Sequence, residues 1–154
     1  MKFKLISPLI MWLLILLGIS VIVNITPSFR LIPRNMFTPF IFLPSFLIWL
    51  YFFIGSVRVN RRIYVSSQKT RSIVKNGVYT LCRHPVYFGD IVLFYGLFFI
   101  YPTLKLGLSV VWLNCVLVYW SKAEEEILIK KFGNIYRVYQ IKTPRLIPRL
   151  KSKN

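Results

Sequence analysis

The stretch of sequence that decides the fold is residues 83–126, which read RHPVYFGDIVLFYGLFFIYPTLKLGLSVVWLNCVLVYWSKAEEE. Two apolar runs lie within it, residues 86–101 and residues 106–121, and a short segment that contains a proline connects them. A transmembrane helix needs about 20 apolar residues, with about 17 as the lower limit. Both runs fall slightly short, but Lys105 and Lys122 at their ends can extend their charged groups to the membrane surface. The pattern therefore predicts a membrane-embedded helical hairpin.

Two longer apolar blocks precede the hairpin, and together the four blocks predict an all-α, polytopic membrane protein. The chain of 154 residues is 56% hydrophobic, whereas about 45–50% is usual for soluble domains. The expected transmembrane helices, about four in number, span residues 5–23, 36–57, 86–101 and 106–121. Pro39 and Pro44 favour a late start or a bend in the second helix, because proline removes helix hydrogen bonds. We expect a single domain, residues 1–154.

The distribution of positive charge predicts the orientation in the membrane. The chain has 21 Lys and Arg residues, four Asp and Glu residues and a formal net charge of +17. With a cytoplasmic N-terminus and four crossings, 18 cations lie on the cytoplasmic side and three on the other. This positive-inside pattern predicts a multi-pass protein of the plasma (inner) membrane with both termini in the cytoplasm. It accounts for the charge without nucleic acid, and anionic membrane lipids are the expected partners of these cations.

The four acids and the single histidine fall in two short clusters at the ends of the hairpin. One cluster contains His84 and Asp90, and the other is the run Glu124, Glu125 and Glu126. If the two hairpin helices are antiparallel neighbours, both clusters lie at the same side of the membrane. We therefore expect them to face each other and to form a polar site at the cytoplasmic interface.

The first cluster also predicts how the third helix begins. Pro85 suits the first helical turn, so His84 is the expected N-terminal cap. The backbone N–H groups that follow, together with Arg83, would form a site for a carboxylate or a phosphate. Tyr87 and Asp90 are three residues apart and share a helix face. An acid inside a membrane is a functional candidate by default.

The sequence after the fourth span predicts an amphipathic cytoplasmic helix. The residues Leu128, Phe132, Ile135, Tyr136 and Tyr139 recur at spacings of three and four. No breaker separates this helix from the fourth span, so the two either run together or meet at a kink.

Two classes of site are excluded by residue counts and spacing. One histidine and two separated cysteines leave no metal site of standard spacing, so no metal is expected. The glycines never form Gly-x-Gly, so a Rossmann domain is not expected. A carboxylate wall opposite an anion-binding helix start suits a zwitterionic ligand with hydroxyl groups, and S-adenosylmethionine has all of these groups.

Several motifs in the second half of the chain resemble one family. They are Gly77-Val78-Tyr79, Arg83-His84-Pro85-Val86-Tyr87-Phe88-Gly89, Glu124-Glu125, Phe132-Gly133, and Tyr136 and Tyr139 followed by Pro144. This set resembles the isoprenylcysteine carboxyl methyltransferase and phospholipid methyltransferase superfamily of integral membrane enzymes. The resemblance covers about residues 71–148, which would be the cofactor-binding half.

The resemblance implies methyl transfer from S-adenosylmethionine to a lipid or a lipophilic small molecule at the cytoplasmic interface. The resemblance also implies a set of cofactor-binding residues, to which we add Arg83 from the helix start and Glu125 as a close partner of Glu124. The full set is Ile73, Val74, Tyr79, Arg83, His84, Pro85, Val86, Tyr87, Glu124 and Glu125. The catalytic candidates are His84, Tyr87 and Asp90, and a base is needed only if the acceptor is an amine or a thiol. Trp120 stands where isoprenylcysteine enzymes have a substrate-binding arginine, which argues against a prenylcysteine carboxylate as the acceptor.

Other interpretations of the same features stay open at this point. The hairpin and the C-terminal motifs also suit an NADPH-dependent sterol-type membrane reductase. Each polar residue taken singly could be an interfacial anchor, which would make the chain a non-enzymatic membrane scaffold. The methyl acceptor, the general base and the oligomeric state are not determined by the sequence.

Overall fold

A computed structural model describes residues 7–33, 38–59 and 72–149, and within these ranges the protein is all-α, as predicted. The edges of the first two predicted spans, at residues 5–6 and 36–37, lie outside the described residues, as does Arg71. The helices are α1 (Pro8–Ile25), α2 (Thr38–Val59), a short 3-10 helix (Gly77–Thr80), α3 (Pro85–Ile100), α4 (Leu104–Phe132) and α5 (Asn134–Lys142).

Three of these helices, α1, α2 and α4, are long and apolar enough to cross a membrane. Helix α3 is equally apolar but has only 16 residues, a length of about 24 Å against a hydrocarbon core of about 30 Å. Helix α4 has 29 residues, a length of about 44 Å, so its last turns extend beyond the core. Within the described ranges the protein therefore has three helices that are long enough to cross a membrane and one shorter apolar helix, as expected for an integral membrane protein.

The predicted hairpin is present, although each of its two helices packs most closely against a different neighbour. The segment 101–103 connects α3 to α4, and the Oγ1 of Thr103 accepts a hydrogen bond from the N–H of Leu106 at 3.3 Å. Helix α3 packs mainly against α2, and α4 mainly against α1. A buried apolar cluster joins α1, α3 and α4, and its members are Met11, Ile15, Tyr87, Leu113, Val116, Leu117, Trp120 and Ala123.

Two glycines allow α3 to approach α2 closely, and this contact fixes the depth at which the polar residues of α3 lie. A Cβ atom at Gly89 would lie 3.4 Å from the Cα atom of Trp49. A Cβ atom at Gly96 would lie only 2.5 Å from the Cβ atom of Ser45. The two glycines are seven residues apart on one face of α3, a spacing that indicates close packing against another helix, and that helix is α2 of the same chain.

We expect Gly96→Ala to destabilise the protein by about 1–3 kcal/mol, the usual effect of overpacking a core. Gly89→Ala is the matched control, because its new methyl group would make only ordinary van der Waals contacts. Heating the protein with a fluorogenic maleimide reports unfolding through the buried thiol of Cys82, provided that the exposed Cys115 is first replaced by Ser. Equal unfolding temperatures for the two glycine variants would contradict the expectation.

The ends of α3 and α4 decide where the functional groups lie. Helix α3 begins at Pro85 with His84 as its cap, as predicted. Helix α4 does not end at residue 121 but continues without a break to Phe132. The predicted C-terminal helix thus forms in two pieces that meet at Gly133, where a φ of 55° favours glycine. The turn brings α5 back toward the start of α3.

Candidate functional site

The site is organised around His84, which contacts two neighbouring glutamates of α4. Its Nδ1 atom lies 3.5 Å from Oε2 of Glu124. Its Nε2 atom lies 3.3 Å from Oε1 of Glu125. All three side chains are largely enclosed by the protein. The prediction that the two polar clusters face each other across the hairpin is confirmed.

Glu125 is the most enclosed of the carboxylates, with 2% of its side chain exposed. Its Oε2 atom accepts hydrogen bonds from Gln140 at 2.9 Å and from the Nε and Nη2 atoms of Arg145 at 3.1 and 3.0 Å. Arg83 donates to both of its oxygens, at 2.8 and 3.1 Å. A buried charge is tolerated only with such compensation. The Glu125 carboxylate is therefore saturated by protein groups.

The guanidinium of Arg83, like the Glu125 carboxylate, is engaged by several protein groups. Besides Glu125, its Nη1 atom donates to the backbone carbonyl of Gln140 at 2.9 Å and to that of Thr143. The backbone N–H of Phe88, one of those expected to be free, donates to the carbonyl of His84 at 3.1 Å. The anion site predicted from Arg83 and the N–H groups of the helix start is therefore partly occupied within the protein, because Glu125 and two carbonyls engage the guanidinium and the helix itself uses the N–H of Phe88. Cofactor contact by Arg83 stays a prediction.

Glu124 differs from its neighbour because no arginine or lysine forms an ion pair with it within the described ranges. It is 13% exposed, lies beside His84 and accepts a hydrogen bond from the hydroxyl of Tyr87. The rings of His84 and Tyr87 stack with their centroids 5.3 Å apart and an interplanar angle of 8°. A carboxylate can accept about four hydrogen bonds. Glu124 therefore keeps capacity for hydroxyl or ammonium groups of a ligand.

Asp90 lies one turn further along α3 than Tyr87. Its Oδ1 atom accepts a hydrogen bond from the indole Nε1 of Trp49 on α2 at 2.9 Å. Its Oδ2 atom is buried and has no partner in the described structure, and the same holds for the indole Nε1 of Trp120 on α4. Asp90 and Tyr87 are three residues apart on α3 and therefore occupy neighbouring positions on its surface, as predicted.

The remaining predicted site residues surround the start of α3. Pro85 is buried, and Val86 packs against the apolar cluster. Ile73 and Val74 are half-buried in the irregular segment that precedes the 3-10 helix. Tyr79 lies in that helix, and its backbone carbonyl accepts a hydrogen bond from the hydroxyl of Tyr139 at 2.6 Å.

The C-terminal segment closes one side of the site through backbone hydrogen bonds. The N–H of Arg83 donates to the carbonyl of Pro144 at 2.9 Å, and the N–H of His84 donates to the carbonyl of Arg145 at 3.1 Å. Burial raises the pKa of the nearby Cys82 thiol to about 12 and raises the pKa of the Tyr139 hydroxyl well above its ordinary value. Both groups stay protonated at neutral pH and act as structural residues.

Three of the residues that build this site were not predicted from the sequence: Gln140, Arg145 and Trp49. Gln140 could have been found, because it continues the spacing of Phe132, Tyr136 and Tyr139 on the face of α5 that packs inward. Arg145 and Trp49 carry no such signal, since one follows a proline in an irregular segment and the other is one of many aromatic residues on α2.

Within the ranges 7–33, 38–59 and 72–149, no group of three or more His, Cys, Asp or Glu side chains is placed to hold a metal ion. The polar cluster of α3 and α4 contains one imidazole, three buried or nearly buried carboxylates and one buried tyrosine. This set can accept hydrogen bonds, hold a cation and move a proton.

Comparison with known proteins identifies the same part of the chain. A sequence model of the phospholipid methyltransferase family matches residues 45–135, which include the polar residues of α3 and α4 and the tryptophan on α2. The nickel-cobalt-cadmium resistance protein NccN of Alcaligenes xylosoxydans xylosoxydans is 30% identical over 90 residues. That match covers 57% of this chain and 41% of NccN, so the chain corresponds to less than half of that relative.

Proposed function

Since the chain belongs to the phospholipid methyltransferase family, we propose that it transfers a methyl group from S-adenosylmethionine to a lipid or a lipophilic small molecule. Membership of this family supports methyltransferase activity in a membrane. The observation that carries the proposal further is Glu124, a nearly buried carboxylate beside His84 and Tyr87 that has no arginine or lysine partner in the described structure.

The residues of the site suit the groups of S-adenosylmethionine. Glu124 can accept hydrogen bonds from ribose hydroxyls or from the ammonium group. Tyr87 and His84 already bind this carboxylate and hold it in one orientation. We assign further cofactor contacts to Ile73, Val74, Tyr79, Pro85 and Val86, which surround the start of α3.

In this proposal Glu125 and Arg83 hold the other residues of the site, His84 above all, in position. Glu125 is fixed by Arg83, Arg145 and Gln140, and it in turn contacts Nε2 of His84. With Nε2 held in this way, Nδ1 of the same ring faces Glu124. Groups that orient a functional histidine commonly act through its second nitrogen.

Methyl transfer requires little of the protein beyond holding the methyl donor and the acceptor in position. When bound, S-adenosylmethionine supplies an electrophilic methyl group on a positively charged sulfur. The protein then has to hold the acceptor close and aligned and to exclude water. Apolar helices surround the inner side of the site, so we propose that the acceptor enters sideways from the lipid. With the short helix α3 counted as the fourth crossing, the charge distribution supports a site at the cytoplasmic face of the plasma membrane and both termini in the cytoplasm.

The test uses the purified protein in phosphatidylcholine bilayers with methyl-labelled S-adenosylmethionine and, separately, with NADPH. We expect saturable binding of S-adenosylmethionine, no saturable binding of NADPH, and transfer of the label to a lipid-soluble product when a membrane lipid extract is added. Saturable binding of NADPH alone would favour a reductase. Binding of neither would favour a membrane protein without this enzymatic activity.

A further inference from the structure

The polar group that the proposed function leaves unexplained is the carboxylate of Asp90. Its side chain is 6% exposed and lies between α3 and α2. Trp49 donates to one oxygen, and the other has no partner in the described structure. A buried, unsatisfied acceptor of this kind is unfavourable, and more so when it is charged. This oxygen therefore keeps the capacity to accept a further hydrogen bond.

Asp90 belongs to a row of polar side chains that begins at the cofactor site. Tyr87 and Asp90 are three residues apart and are neighbours on the surface of α3. Tyr87 is hydrogen-bonded to Glu124 on α4 and stacks on the cap residue His84. The row therefore leads from Glu124 on α4, through Tyr87, to Asp90 at the contact between α3 and α2.

We propose that Oδ2 of Asp90 binds the methyl acceptor through an N–H or O–H group, which makes the acceptor an amine or an alcohol and not a carboxylate. This inference rests on the proposed function. A donor on the acceptor satisfies the unpaired oxygen, and the indole of Trp49 holds the carboxylate in place. A carboxylate acceptor would place a second negative charge beside the first in a poorly solvated position, which is unfavourable.

The same oxygen of Asp90 can take up the proton that an amine or an alcohol acceptor must lose. The lone pair of the acceptor nitrogen or oxygen forms a bond to the methyl carbon, the carbon–sulfur bond breaks, and its electron pair stays on the sulfur, which becomes neutral. The proton of the acceptor passes to Oδ2 of Asp90 and later to water. General-base assistance of this type contributes about 100-fold to 10,000-fold to a rate.

The experiment compares the unaltered protein with Asp90→Asn, which keeps the size of the side chain and removes its charge. Both proteins are placed in phosphatidylcholine bilayers that contain phosphatidylethanolamine as the amine, phosphatidylglycerol as the alcohol or oleic acid as the carboxylate. The rise in unfolding temperature that each lipid produces is measured without S-adenosylmethionine and with it. The transfer of labelled methyl groups is measured with S-adenosylmethionine. Binding of S-adenosylmethionine is measured in parallel.

We expect the amine or the alcohol lipid to stabilise the unaltered protein without cofactor and to accept the label. Asp90→Asn should lose this stabilisation and at least about 100-fold of the transfer rate, while its affinity for S-adenosylmethionine changes less than about twofold. Equal stabilisation or transfer in Asp90→Asn, label in oleic acid, or no response to any of the three lipids would overturn the proposal. Failure of the proposed function looks different, because the unaltered protein would then not bind S-adenosylmethionine at all.

Discussion

Glu124→Gln is expected to weaken the binding of S-adenosylmethionine by about 10-fold to 100-fold while the protein stays folded. The substitution keeps the size of the side chain and removes the negative charge that we assign to the cofactor. Hydrogen bonds that involve a charged group contribute about 1.5–3 kcal/mol, which corresponds to this range of affinity. Folding should be little affected, because no arginine or lysine in the described structure depends on Glu124 for its charge balance.

Glu126→Gln provides the matched control for this expectation. Glu126 lies two residues away on α4, carries the same charge and is exposed. Equilibrium binding of labelled S-adenosylmethionine in bilayers measures both variants under the same conditions. Unchanged binding in Glu124→Gln would contradict the assignment. An equal loss in both variants would also contradict it, because the effect would then come from the general charge of this end of α4.

The position of the site could be predicted from the sequence because it depends on local rules. Proline fixes the first turn of a helix, so the start of α3 at Pro85 and the cap at His84 followed directly. The hairpin then brought His84 beside the glutamates of α4. The contact between α2 and α3 was suggested by Gly89 and Gly96, although the sequence could not show which helix they met.

The roles of the three adjacent glutamates could not be predicted in the same way. Consecutive residues on a helix point about 100° apart, so Glu124, Glu125 and Glu126 had to differ, but their surroundings come from distant parts of the chain. Arg145 and Gln140 surround Glu125 only because the chain turns at Gly133 and folds back. The sequence analysis therefore treated Glu125 as a cofactor partner, whereas its contacts favour a positioning role.

The same reasoning explains why the contacts of Arg83 were not predicted. An arginine next to a helix start resembles an anion site when only its neighbours in sequence are considered. In the folded chain its guanidinium meets Glu125 and the carbonyls of Gln140 and Thr143, which lie 42 to 60 residues away. Long-range contacts of this kind leave no periodic pattern, so a single sequence does not reveal them.

The sequence left open whether the fourth span and the amphipathic helix run together or meet at a kink. Residues 122–132 are too polar to extend a membrane span, so the predicted span ended at residue 121. The helix itself continues, because this segment is rich in helix-forming residues and has no breaker before Gly133. The extra turns carry the glutamates beyond the apolar core, where a polar cofactor can reach them.

Glu125→Gln is expected to reduce the free energy of unfolding by about 3–5 kcal/mol, the usual effect of removing one partner from a buried ion pair. The variant leaves the guanidinium of Arg83 enclosed without a negative partner, and it weakens the contacts that attach Arg145 and Gln140 to the bundle. Maleimide labelling of Cys82 during heating, in a Cys115→Ser background, measures the change. Because Cys82 adjoins Arg83 in sequence and is buried, its exposure reports opening at the site itself.

The two neighbouring glutamates provide matched controls for the expected loss of stability in Glu125→Gln. Glu124→Gln and Glu126→Gln remove the same charge within one residue of the same place, and we expect both to unfold near the temperature of the unaltered protein. Among the residues that the structure describes, Glu125 alone of the three has arginine partners, so its loss leaves buried positive charge uncompensated. If Glu125→Gln is as stable as the other two variants but binds S-adenosylmethionine more weakly, then Glu125 contacts the cofactor and the positioning role is wrong. If it unfolds early and Glu124→Gln loses only binding, the two neighbouring carboxylates have the separate roles that their contacts indicate.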